Sequence, residues 1–144
     1  MDTEQHWNQM VPELTVTDFN KSFDFYTKVL GFKVRFSREN PSFAYLYQET
    51  AQLMIEQFHQ EGWNVSELSH PFGRGVNFQI ELSNIKPIYQ SVIDSNIKIY
   101  QECEDNWYQT DEGLIGQREF LVQDPDGYLL RFCQAIEETE KVTT

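Results

Sequence analysis

The chain has 144 residues, with 23 Asp and Glu against 11 Lys and Arg, for a formal net charge of −12. That length makes one domain or two small modules sharing a core, large enough to fold without a disulfide or structural metal. The charge argues against nucleic acid, where Lys and Arg must neutralise phosphates, and suits either a cationic ligand or plain solubility.

Residues 1–10 are polar and read as a tail. VPELTV (11–16) sets Leu14 and Val16 against Glu13 and Thr15, the period-two pattern of a half-buried strand. Asp18 is placed to cap a helix with the apolar stripe Phe19, Phe23, Tyr26 and Leu30, and Gly31 to stop it. FKVRFS, FAYLY and QLMIEQF read as three strands, so that 11–58 form a first βαβββ module. A polar, Gly- and Pro-containing linker follows over 59–74.

VNFQIEL (76–82) alternates again, and Asn84 is placed to cap a helix with the stripe Ile85, Ile88 and Val92. Pro87 falls in the first turn, where a missing N–H costs nothing, and Asn96 marks the end. IKIYQE, REFLVQ and YLLRFCQ supply three more strands, with a long acidic loop of roughly 103–116 after the first. DPDG turns the chain between the last two. The second module spans 75–135, and 136–144 read as a frayed tail. Both halves give the same order of elements with helices of nearly equal length. The predicted fold is α+β: tandem βαβββ modules forming a curved mixed sheet, with helices packed on its convex side.

Alternation puts Glu13, Thr15, Glu56, Asn77, Gln79, Glu81 and Arg131 on the face opposite the helix-packing residues. So many polar groups share a sheet face only if it is wet or occupied, so a polar cleft is expected. Phe43, Trp63, Trp107 and Tyr108 are the candidate ligand-stacking aromatics at its rim. The acidic residues Glu102, Glu104, Asp105, Asp111 and Glu112 suit a cationic tail. His6, His59 and His70 read as surface residues, and Cys103 and Cys133 as packing residues in a reduced, cytoplasmic protein. No nucleophile motif, phosphate loop or dinucleotide fingerprint is present, so no catalytic residue and no cofactor is assigned. No apolar run approaches the ~20 residues of a membrane span, and the polar N-terminus carries no signal-peptide pattern.

VPELTVTDFNKSFDFYTKVLGF, HPFGRGVNFQIEL and GQREFLVQDPDGYLLRF resemble the glyoxalase/bleomycin-resistance/dioxygenase superfamily, from about Val11 to Gln134. GQREF (116–120) and Pro12 resemble its bleomycin-resistance branch, where that proline marks the hinge of an N-terminal strand exchanged between two subunits. The resemblance implies a homodimer that holds a cationic bleomycin-type drug in interface grooves, with Phe43 at one drug-stacking position. It assigns the metal ligands of the superfamily's enzymes to Val11, Glu56, Asn77 and Arg131. Three of these are poor ligands, so the resemblance implies no metal, and Glu56 and Arg131 are expected to form an internal ion pair. The family's tryptophan beside the GREF element is replaced here by Leu114, Ile115 and Gly116, with Trp107 or Tyr108 as substitutes. The alternatives are a metal-dependent lyase, isomerase or dioxygenase of the same superfamily, or a binder of another small molecule.

Overall fold

In the computed structural model residues 6–137 are described, so the ends of both expected tails lie outside the described residues. β1 (Glu13–Val16) buries Leu14 and Val16 as its alternation requires. β2 (Lys33–Arg38), β3 (Phe43–Gln48) and β4 (Ala51–Gln57) join it in the order β1-β4-β3-β2, with β1 parallel to β4 and the other neighbours antiparallel. β5 (Asn77–Glu81), β6 (Ile99–Thr110), β7 (Gly113–Gln123) and β8 (Leu129–Ile136) repeat that topology as β5-β8-β7-β6, β5 being parallel to β8. The chain forms two units: residues through Arg74 together with Asp124–Tyr128, and Gly75–Gln123 together with Leu129 onward.

In the first unit Asp18 caps α1 (Phe19–Asp24), its carboxylate accepting from the Lys21 N–H at 3.2 Å. The helix then widens into a π-helical turn (Phe25–Val29) and ends at Gly31, whose φ of 83° favours glycine. The buried stripe corrects the expected one. Ser22, Phe25, Tyr26 and Leu30 face inward, while Phe19 and Phe23 are half-buried and stack on each other at 5.6 Å. A small serine on the inner face disguised the true stripe by a third of a turn. Tyr26 reaches past it to donate its hydroxyl to Asp124 at 2.6 Å.

DPDG is the turn expected, and its acids hold the first unit together. Asp124 also accepts from the Asp126 and Tyr128 N–H groups, and Asp126 accepts from the Thr17 N–H and hydroxyl. Burial pushes the Asp124 carboxyl up to about 6, against the pull of those hydrogen bonds, and burial beside Asp124 raises the Tyr26 phenol.

In the second unit α2 (Lys86–Asp94) buries Ile88 and Val92, with Pro87 in its first turn and Asn96 in the left-handed region just past its end. Asn84 accepts from the Lys86 N–H at 3.1 Å, but Ile85 is the capping residue. The expected loop over 103–116 is corrected to a long hairpin: β6 and β7 pair from Ile99↔Val122 to Thr110↔Gly113. Its turn is fastened by Thr110, whose hydroxyl donates to the Gly113 carbonyl and accepts from the Glu112 N–H. β8 accompanies β7 only as far as Gly116↔Ile136. The polar run that resembled a loop is most of β6, which lies at the edge of the sheet with only β7 beside it.

Candidate functional site

Cross-strand register gathers polar side chains on one face of the first unit. Thr15, Glu56, Phe43 and Arg38 form one row across β1, β4, β3 and β2; Glu13, Met54, Tyr45 and Phe36 form the next. A cavity of about 330 Å³ opens there, lined by Glu13, Thr15, Arg38, Glu56, His59 and Trp63 among others. Trp63 stands at its rim, 95% exposed, on the segment between the units' strands. Phe43 is buried, with the Arg38 guanidinium 3.9 Å over its ring. The Glu13 carboxyl is raised, first by burial and then by the charge of Glu56, with Arg38 pulling the other way.

Glu56 has a partner that the sequence reading missed: His59 Nε2 lies 3.1 Å from its Oε1. His59 is thus not a bystander on the surface. The signal was Glu-x-x-His at the end of β4, where the chain turns back over the strand it has just left. Within the first unit Glu56 is partnered by His59, and within the second Arg131 is partnered by Gln79 and Glu119.

The second unit's polar face is built around Glu119, a residue that sequence reasoning left inside the GQREF motif without a role. Glu119 Oε2 accepts from Asn106 Nδ2 at 2.7 Å and from the Tyr108 hydroxyl. Arg131 Nη1 stands 3.8 Å from Oε1, and Nη2 donates to Gln79 at 2.8 Å. Asn77 is exposed at the start of β5 in register with Leu129, on the same face as Gln79 and Arg131.

Neighbouring strand residues point to opposite faces, so Trp107 and Tyr108 cannot serve one groove together. Tyr108 belongs to the Glu119 face. Trp107 lies against Gly116, where an added Cβ would stand 2.5 Å from the indole, and it lines a separate groove of about 420 Å³ with Leu114, Ile115 and Ile136. The two cysteines fit packing roles: burial raises both thiols, Cys133 to about 11, away from the reactive thiolate.

The four positions that the resemblance assigns to a metal do not fit one. Val11 offers no donor, Asn77 is a neutral amide, and Arg131 is a fixed cation engaged with Gln79 and Glu119. Among the described residues no three His, Cys, Asp or Glu side chains are grouped to hold a metal ion. No helix among them is long and apolar enough to cross a membrane.

A sequence profile described as the Glyoxalase/Bleomycin resistance protein/Dioxygenase superfamily matches residues 7–132. The bleomycin resistance protein of Geobacillus stearothermophilus is 28% identical over 137 residues, covering 89% of this chain and 97% of that one. The lactoylglutathione lyase of Escherichia coli O157:H7 is 28% identical over 127 residues, covering 84% and 87%. Among solved structures, TioX from Micromonospora sp. ML1 shares the fold with a TM-score of 0.67 at 20% identity, over 90% of this chain and 100% of that one.

Proposed function

The chain belongs to the glyoxalase/bleomycin resistance protein/dioxygenase superfamily, and within it we propose a non-catalytic binding protein that sequesters a cationic, aromatic-tailed drug of the bleomycin type. One observation carries the reading: an exposed Trp63 stands over a cavity that holds Glu13, Glu56 and Glu61. A flat ring stacks on the indole while an attached cation meets the carboxylates. The net charge of −12 draws such a ligand in from a distance. The likeness to a bleomycin resistance protein along almost the whole of both chains supports the same class of ligand. We place the protein in the cytoplasm as a homodimer, following the resistance branch.

Sequestration makes and breaks no bond, so protection needs a Kd of about 1 μM or better, near −8 kcal/mol. Titration with metal-free and Cu(II)-loaded bleomycin, followed by tryptophan fluorescence, should give saturable quenching. Trp63→Ala should weaken binding about tenfold, the loss of one aromatic anchor. Absence of quenching at tens of micromolar drug would reject this ligand. The lyase relative keeps an enzymatic reading in view. Stoichiometric divalent metal in the purified protein, with lyase activity that depends on it, would replace sequestration by catalysis.

A further inference from the structure

The first unit holds a second place for an aromatic group, on the row of Phe36 and Tyr45 beside the cavity row, and the chain's own N-terminal segment sits in it. Trp7 meets Tyr45 edge-on at 5.1 Å and Phe36 at 6.1 Å, and the Arg35 guanidinium lies 3.3 Å over its ring. The backbone on either side of Trp7 is read by one buried side chain. Gln52 donates from Nε2 to the His6 carbonyl at 2.6 Å and accepts at Oε1 from the Asn8 N–H at 2.9 Å. Tyr45 donates its hydroxyl to the same Oε1 at 2.5 Å, which fixes the carboxamide in that orientation. Arg35 adds a hydrogen bond to the His6 carbonyl, and Asn8 Nδ2 bonds the Thr50 carbonyl at 2.9 Å.

This is the hardware for recognising an aromatic ring flanked by two amide groups: a cation for one ring face, aromatic edges beneath, and a carboxamide that pairs with both neighbouring peptides. Trp7 itself remains 54% exposed, while Gln52 and Tyr45 are buried. The seat is therefore better formed than its occupant is buried. If the segment leaves, Gln52 loses two partners, and a buried amide without partners is costly. An incoming group of the same chemistry restores them.

We propose that the Arg35–Phe36–Tyr45–Gln52 seat is a binding site for a neutral or anionic aromatic carboxamide, and that His6–Trp7–Asn8 is a built-in competitor for it. The positive Arg35 above the ring disfavours a cationic ring, which distinguishes this ligand from the one proposed for the Trp63 cavity. The segment is tethered to β1 by only a few residues, so its effective concentration at the seat is of millimolar order or above. A ligand must outcompete it.

The test uses the full-length chain with N-acetyl-L-tryptophanamide as probe, read by the backbone amide resonances of Phe36 and Tyr45. Trp7→Ala should bind the probe about tenfold or more tighter than the parent, because the tethered competitor has lost its ring. Gln52→Ala added to Trp7→Ala should abolish that gain. In the parent chain, high probe concentrations should move the Trp7 indole N–H resonance to its solvent-exposed position, a measurement that depends on no variant folding. The proposal is overturned if Trp7→Ala binds no tighter than the parent. It is equally overturned if Gln52→Ala leaves the gain intact, or if only a peptide copying residues 3–10 binds, since the seat would then serve this chain's own segment alone. None of these outcomes depends on bleomycin binding at Trp63.

Discussion

The two sheets share one strand order yet treat their buried-face carboxylates in opposite ways. In the first unit Glu56 is 23% exposed at a cavity and is paired with His59. In the second, Glu119 is 3% exposed, with Asn106 and Tyr108 on one oxygen and Arg131 facing the other. Topology places an acid on the polar face in each; what differs is the supply of donors from the adjacent strands. β6 offers Asn106 and Tyr108 to Oε2, and β8 brings Arg131 to 3.8 Å from Oε1, which is buried without a hydrogen bond, so Glu119 is held by its own sheet on one oxygen and by charge alone on the other. Glu56's row holds Thr15, Phe43 and an Arg38 engaged over that phenylalanine, so it keeps capacity for something else. One carboxylate is enclosed by its own sheet, and the other stands open at a cavity.

Removing each acid is the strongest test of that contrast. Glu119→Ala should cost about 3 kcal/mol, because it leaves Tyr108, Asn106 and Arg131 without their shared acceptor. Glu56→Ala should cost less than about 1 kcal/mol, the worth of a partly exposed pair. Urea unfolding measures both, and equal losses would break the distinction between a structural and a receptive carboxylate.

A comparable effect should come from the acid that only the first unit owns. Asp124 is raised from 3.8 to about 6. The folded chain therefore binds the extra proton between these values, and stability attributable to Asp124 is full below pH 4 and lost as pH rises through 6. At most about 3 kcal/mol is at stake. Subtracting the pH–stability curve of Asp124→Asn from that of the parent should isolate a fall across pH 4–6. A flat difference would mean that the Tyr26 and backbone hydrogen bonds hold the carboxylate ionised.

Much of this architecture was legible in the residues. Period-two runs gave the sheets, Asp18 and Gly31 bounded a helix, and the repeated order gave two modules, because these signals are local. The hairpin at 99–123 was hidden: β6 is an edge strand with β7 alone beside it, so its residues keep the polar composition of a loop. Its true face assignment, Tyr108 with Glu119 and Trp107 with Gly116, follows only from register. The Glu56–His59 pair and the Gln52 grip on residues 6–8 join side chains through a chain reversal or a long separation, which spacing alone does not encode. Glu119 was overlooked because its value comes from three strands at once.

The smallest expected effect bears most directly on what the open face accepts. Arg38 covers Phe43 and stands beside Glu13, whose carboxyl it pulls down. Arg38→Ala should cost only about 0.5–1 kcal/mol of stability, a surface cation–π contact. It also uncovers an aromatic ring and removes a positive charge from the cavity lining. A cationic aromatic drug should then bind more tightly by about 0.5 kcal/mol, roughly two- to threefold. Calorimetric titration of the variant and parent with bleomycin resolves a change of that size. Weaker binding would make Arg38 a ligand contact and point to an anionic group in the cavity. In that event the receptive character of the face would stand, but the sign of its ligand would be reversed.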